Sequence, residues 1–139
     1  MSHKLLSVLI LGLLLIFNED GLSTQEMQSC KSLPVGSNEI PPDGIYCIDI
    51  AYAEWDGKSL GTLLMVEVKG DYVKIIYRGG TELSHTKPGD VIEEGPLLKH
   101  KSGVWIISSN ANDKELNEVG GCSDGPTVID FKEKKWWTC

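Results

Sequence analysis

The chain has 139 residues, of which 13 are Lys or Arg and 20 are Asp or Glu, so its formal net charge is −7. Nucleic-acid backbones and anionic membrane surfaces are bound through clustered Lys and Arg, and this acidic balance argues against both as partners. The hydrophobic fraction of 41% and the charged fraction of 24% exclude a disordered or collagen-like chain and predict a folded domain.

The N-terminal segment has the pattern of a secretory signal peptide. Lys4 precedes an apolar run over residues 5–17, which is shorter than the roughly 20 residues that a membrane-spanning helix needs. Gly21 and Ser23 are small residues at the third and first positions before a cleavage site, so residues 1–23 are predicted to be removed. The remaining chain is then expected to be secreted and extracellular, without insertion into a membrane. The alternative is a membrane anchor or a buried N-terminal helix.

All four cysteines follow this segment, and an even number in a small secreted chain predicts two disulfides. Cys30 and Cys47 are separated by the same interval as Cys122 and Cys139, which allows two local loops, but a nested pairing is also possible. In the chain-entropy model, a Cys47–Cys122 disulfide would stabilise the protein by only about 1.3 kcal/mol more than a local one, which does not decide the pairing. No two cysteines have the short spacing of a zinc motif or of a Cys-x-x-Cys redox pair.

The chain after a polar arm at residues 24–43 is predicted to be a single β domain, at residues 44–139. Apolar and polar residues alternate over 44–52, which predicts the first strand. Two β-rich runs, at 61–69 and 72–77, flank a tight turn and predict a hairpin.

The second half of the chain predicts further short strands and one turn of helix. Residues 81–96 contain repeated Pro and Gly and are predicted to be a loop. Asn112 is the predicted cap of a helical turn, with Glu115 completing a capping box. Strands are predicted at residues 97–100, 104–108, 127–131 and 136–139. Six or seven short antiparallel strands indicate an all-β sandwich or small barrel stapled by disulfides.

Residues that could support catalysis are few. His85 and His100 are the histidines of the predicted mature chain, and it contains no Gly-x-Ser-x-Gly elbow. Glu93 and Glu94 are adjacent carboxylates in a predicted loop, where solvation is more common than a catalytic pair facing a cleft. We therefore expect a protein that is not an enzyme and carries no cofactor. A small secreted hydrolase that depends on the two histidines is the alternative from this class.

A calcium site is not predicted with any specificity. Residues 110–114 resemble the start of a calcium loop, but Lys114 occupies a ligand position and Gly121 occupies the position of the bidentate Glu. A looser site formed by Asp90 with Glu93 and Glu94 stays open as an alternative, and no metal is assigned.

The most specific short motif is Lys69-Gly70-Asp71, at the turn of the predicted hairpin. It resembles the Lys-Gly-Asp variant of the Arg-Gly-Asp sequence by which disintegrins and some salivary proteins of blood feeders engage integrins. That resemblance implies that Asp71 completes a metal ion on the integrin while Lys69 reaches a carboxylate of the partner. The alternative is that Gly70 and Asp71 are the residues that a tight turn requires. The chain lacks the dense cysteine pattern of disintegrins.

The tryptophans suggest a second binding surface. Trp55 lies beside a predicted turn, while Trp136 and Trp137 are adjacent and must point to opposite faces of a strand. One of that pair is expected in the core, and the other is a candidate for exposure. Exposed Trp is enriched at protein contacts and also stacks on sugars. The alternative is that all four, including Trp105, are core or half-buried strand residues.

These observations predict a secreted, monomeric, non-enzymatic protein that engages or inhibits an extracellular protein partner. The candidate partner-binding residues are Lys69, Gly70, Asp71, Trp55, Trp136 and Trp137. An integrin-directed ligand and a glycan-binding module are the alternatives. No protein family is recognisable over the length of the sequence.

Overall fold

The computed structural model describes residues 29–139, and their regular structure is almost entirely β-strand. The predicted signal peptide at residues 1–23 lies outside the described residues, as does the first part of the predicted polar arm. The strands are β1 (Gly44–Tyr52), β2 (Thr62–Lys69), β3 (Tyr72–Gly80), β4 (Val91–Lys99), β5 (Trp105–Ile107), β6 (Val128–Asp130) and β7 (Lys135–Thr138). Two short 3₁₀ helices, Ala53–Trp55 and Ala111–Glu115, follow β1 and β5.

The seven strands close into a barrel in which each strand pairs with its neighbours in sequence. Successive strands are antiparallel, and β1 and β7 close the barrel as a parallel pair because an odd number of alternating strands leaves the first and last running the same way. One end of the barrel, which we call the three-loop end, is therefore where three connections start: β1–β2, β3–β4 and β5–β6. The β2–β3 turn lies at the opposite end, which we call the hairpin-tip end.

The interior of the barrel is filled by side chains. Alternate residues of the strands point inward, as expected for a small barrel. Val66, Val73 and Ile75 are fully buried, and Leu33 from the segment before β1 also enters the core. The interior of the barrel is therefore a packed hydrophobic core.

The fold class and the strand pattern of the first half confirm the sequence predictions. β1 has the predicted limits, and the predicted hairpin is the β2–β3 pair. The prediction of a loop over residues 81–96 is wrong at its C-terminal part, because β4 begins at Val91 and includes Glu93 and Glu94. Gly95 does not mark a turn: a Cβ there would lie 2.9 Å from the carbonyl oxygen of Ser108, so its absence permits the close approach of β5.

The predicted helical turn is displaced. The 3₁₀ helix at Ala111–Glu115 is capped by Asn110, whose Oδ1 accepts a hydrogen bond from the Asn112 N–H at 3.0 Å. The Asn110 N–H in turn donates to Asp113 Oδ2 at 3.1 Å. Asn110 has the extended backbone that a cap requires, so the capping box starts two residues before the predicted one.

The disulfides follow the local pairing. Cys30 is bonded to Cys47, and Cys122 is bonded to Cys139. The first disulfide ties the segment before β1 to that strand, and the second ties the β5–β6 connection to the end of β7. Two disulfides indicate an oxidising environment of the extracellular type. Within residues 29–139, no helix has the length and apolar character needed to cross a membrane.

Candidate partner-binding surfaces

The Lys69-Gly70-Asp71 tripeptide forms the exposed tip of the β2–β3 hairpin. Lys69 pairs with Tyr72, so Gly70 and Asp71 are the two central residues of the turn. Gly70 has φ of 62° and Asp71 has negative φ, which is the pattern of a type II′ turn with Gly at its first central position. No atom outside the immediate chain neighbours lies within 4 Å of where a Gly70 Cβ would be, so the tip projects into open space.

Asp43 braces the tip from the segment before β1. Its Oδ1 accepts a hydrogen bond from the Gly70 N–H at 2.8 Å. Among the described residues, the side chains of Lys69 and Asp71 take part in no hydrogen bond or ion pair. The tip thus combines a backbone N–H that is hydrogen-bonded to Asp43 with the exposed side chains of Lys69 and Asp71. Sequence reasoning did not find Asp43, because it lies far from the turn along the chain.

Trp55 projects from the β1–β2 connection at the three-loop end. It is the last residue of the 3₁₀ helix after β1, and 54% of its surface is exposed. Leu60 in the same connection is 46% exposed and has φ of 51°. A bulky residue at positive φ is rare, because its Cβ crowds the backbone. The connection therefore holds two large apolar side chains in solvent and keeps one of them in a strained backbone conformation.

Trp137 supports this connection from the outer wall of the barrel. A Cβ at Gly57 would lie 2.8 Å from the Trp137 ring, so the ring packs directly on the glycine backbone. Lys135 lies over the same ring, 5.5 Å from its centroid, and its Nζ donates to the Gly57 carbonyl at 3.3 Å. The Gly57 N–H donates to the Tyr52 carbonyl at 2.9 Å and closes the loop. Trp137 is half-buried and holds the β1–β2 connection in place.

Trp136 points into the barrel, which confirms that the adjacent tryptophans face opposite ways and that one is in the core. It is 7% exposed, and its Nε1–H donates to Glu93 Oε2 at 2.7 Å. The Thr127 hydroxyl lies 2.6 Å from both oxygens of the same carboxylate. Trp136 is therefore removed from the candidate binding surface. The hairpin tip and Trp55 are not brought together, since they lie at opposite ends of the barrel.

The histidines occupy different environments. Both ring nitrogens of His100 are hydrogen-bonded at 2.8 Å, one to the Ser102 hydroxyl and the other to the Leu116 carbonyl. This buried imidazole links the β4–β5 turn to the β5–β6 connection. His85 is exposed in the β3–β4 connection, which starts from the other end of the barrel. The structure does not bring the two histidines together.

The predicted carboxylate cluster is divided among different partners. Asp90 accepts a hydrogen bond from the Lys87 N–H at 2.8 Å, and Glu94 lies 3.5 Å from Lys74 Nζ on the outer wall. Glu93 binds Trp136 and Thr127, as described above. These three carboxylates do not converge as a set of metal ligands within the described part of the chain. Glu93 and Glu94 also line a cleft of about 290 Å³ beside the β5–β6 connection.

Comparisons of the chain with protein families, with curated protein sequences and with solved structures find no match.

Proposed function

We propose that this chain is a secreted, non-enzymatic binding protein that engages an extracellular protein partner through the β1–β2 connection, with Trp55 as its anchor. The observation that carries the proposal is the exposed Trp55 on a loop whose backbone packs against the Trp137 ring and accepts a hydrogen bond from Lys135. Trp residues dominate the binding energy of many protein interfaces. A loop fixed before binding loses less conformational entropy when the partner docks.

The contacts of the β1–β2 connection support this function. Trp137 and Lys135 fix the Gly57 backbone, so Trp55 is presented by a loop with few degrees of freedom left to lose. The filled interior of the barrel favours recognition at its surface over capture of a ligand inside. The disulfides and the predicted signal peptide are consistent with secretion into an extracellular space, where such a partner is found.

Affinity capture tests this proposal. The oxidised protein is immobilised and exposed to plasma and to solubilised cell-surface proteins, with Trp55→Ala and Val35→Ala in parallel. Val35 is the matched control, because it is 92% exposed on a different segment. We expect a partner that wild type and Val35→Ala retain, and that binds Trp55→Ala about 30-fold more weakly, as for a loss of about 2 kcal/mol at a hot spot.

A retained partner that binds Trp55→Ala as tightly as wild type would contradict the proposed anchor. Absence of any specific partner, together with a shift in Trp fluorescence on addition of sugars, would favour the glycan-binding alternative.

The hairpin tip favours a second candidate, an integrin-directed ligand. Its support is the Asp71 carboxylate on a projecting turn, which makes no hydrogen bond or ion pair within residues 29–139, with Lys69 beside it and the Gly70 N–H bonded to Asp43. We expect wild type to bind a purified integrin in the presence of Mg²⁺ and Asp71→Asn to lose that binding. Asp124→Asn serves as the control, because Asp124 is exposed on the β5–β6 connection. Equal binding by wild type and Asp71→Asn would reject this candidate.

A further inference from the structure

The two disulfides have opposite electrostatic surroundings. Arg78 Nη1 lies 3.0 Å from the Sγ atom of Cys30 and 3.2 Å from that of Cys47. In contrast, a carboxylate oxygen of Glu54 lies within 4.8 Å of the sulfurs of both Cys122 and Cys139. One disulfide therefore has a cation against its sulfurs, and the other has an anion nearby.

Among the described residues, the hydrogen bonds of the Arg78 guanidinium are to the sulfurs of the first disulfide. Arg78 is the residue at which the pairing of β3 with β2 shifts register, between Tyr77 and Gly79. Neither ion pair among residues 29–139 involves Arg78, and its buried Nε has no hydrogen-bond partner there. Its contacts with the two sulfurs are thus the polar interactions that hold the guanidinium in place.

We propose that Cys30–Cys47 is a thiol-exchange site that reacts with small extracellular thiols such as glutathione, while Cys122–Cys139 is the structural disulfide. A cation beside a cysteine favours its thiolate, and a disulfide breaks faster when the departing sulfur is a better-stabilised thiolate. Glu54 opposes thiolate formation at the second disulfide. This inference stands independently of the proposed binding function.

The exposure of the two cysteine residues suggests the direction of attack. Cys47 is exposed, whereas Cys30 is only partly so. The incoming thiolate attacks Cys47 Sγ, a new sulfur–sulfur bond forms, and the Cys30–Cys47 bond breaks with its electron pair on Cys30. The Cys30 thiolate then lies beside the Arg78 guanidinium. A second thiol can attack the mixed disulfide, which leaves both cysteines reduced and one disulfide of the small thiol.

Time-resolved alkylation tests the proposal on the folded, oxidised protein. Reduced glutathione is added under native conditions, samples are quenched with acid, free thiols are alkylated, and peptides are identified by mass spectrometry. We expect glutathione to appear on Cys47 and Cys30–Cys47 to open roughly tenfold faster than Cys122–Cys139. The second disulfide serves as an internal control, because both close loops of equal sequence separation, 17 residues.

Variants of Arg78 and Glu54 test whether these charges cause the difference in opening rate between the two disulfides. Arg78→Gln is expected to remove most of the rate difference, and Arg78→Lys to retain part of it. Glu54→Gln is expected to leave the opening of Cys30–Cys47 unchanged. If Arg78 variants do not fold, the opening rate of Cys122–Cys139 in Glu54→Gln replaces them, because removal of the anion should let that disulfide open faster and so reduce the difference. Equal opening rates in wild type, or a difference that neither Arg78→Gln nor Glu54→Gln reduces, would overturn the proposal.

Discussion

At the scale of single residues, the neighbouring carboxylates Glu93 and Glu94 have different roles despite their adjacency. Glu93 points into the barrel, where it accepts hydrogen bonds from Trp136 and Thr127. Glu94 points outward to Lys74, and about half of each of those side chains is exposed, at 47% and 42%. An ion pair in that setting contributes little, whereas removal of an acceptor leaves inward-facing donors without a partner.

We therefore predict that Glu93→Ala destabilises the protein by about 2–3 kcal/mol, because hydrogen bonds to a charged acceptor are lost and the Trp136 N–H is left unsatisfied. Glu94→Ala, the matched control, is expected to change the free energy of unfolding by less than about 0.5 kcal/mol. Urea unfolding monitored by Trp fluorescence measures both. Similar losses for the two variants would show that the inward hydrogen bonds do not contribute as described.

At the scale of elements, the β2–β3 turn depends on a residue outside the hairpin. Asp43 is the acceptor for the Gly70 N–H, so we predict that Asp43→Ala increases hydrogen exchange at Gly70, with a stability loss of about 1 kcal/mol or less. Asp130 makes an equivalent contact at the β6–β7 turn, where it accepts from the Glu133 N–H at 2.8 Å.

Asp130→Ala is accordingly the control for the hairpin tip. It should increase exchange at Glu133 and leave Gly70 unchanged, while Asp43→Ala should do the reverse. If Gly70 exchanges at the same rate with and without Asp43, the tip is rigid for another reason, and the type II′ turn alone would account for its order.

Element by element, the sequence predicts what local patterns determine. Alternation specifies β1, and turn chemistry specifies the β2–β3 hairpin. The start of β4 could not be predicted this way, because Gly95 and Pro96 are typical of a loop in sequence, whereas Gly95 here permits the close approach of the neighbouring strand β5. Likewise, the adjacency of Trp136 and Trp137 predicts opposite faces, but only pairing with β1 determines which of them is inside.

In the candidate sites, too, the features set by local sequence are predictable and those set by distant contacts are not. Exposure of the hairpin tip follows from its turn sequence, and Trp55 was found by its position beside a turn. Leu60, Asp43 and Arg78 were missed because their roles depend on backbone strain or on partners distant in sequence. The sequence does not decide the disulfide pairing for a related reason: loop entropy differs too little between the alternatives to outweigh the geometry of the folded barrel.

At the scale of the whole molecule, closure of the barrel depends on its shortest strands. β5 and β6 have three residues each and β7 has four, whereas β1 to β4 have eight or nine. Short strands contribute few ladder hydrogen bonds, and β7 must also complete the parallel pair with β1. Cys122–Cys139 joins the β5–β6 connection to the end of β7. It therefore constrains the part of the barrel, β5 to β7, that has the fewest backbone hydrogen bonds between strands.

We therefore predict that Cys122→Ser with Cys139→Ser lowers the free energy of unfolding by about 3 kcal/mol, as expected from chain entropy for a loop of this size, and increases amide exchange in β6 and β7. Cys30→Ser with Cys47→Ser is the matched comparison. Because its loop has the same separation of 17 residues, chain entropy alone predicts the same loss. Denaturant unfolding and exchange mass spectrometry measure both variants. Localised opening of β6 and β7 in the first variant but not the second would place the role of Cys122–Cys139 in closure of the native barrel, whereas identical exchange maps would attribute both disulfides to restriction of the unfolded chain.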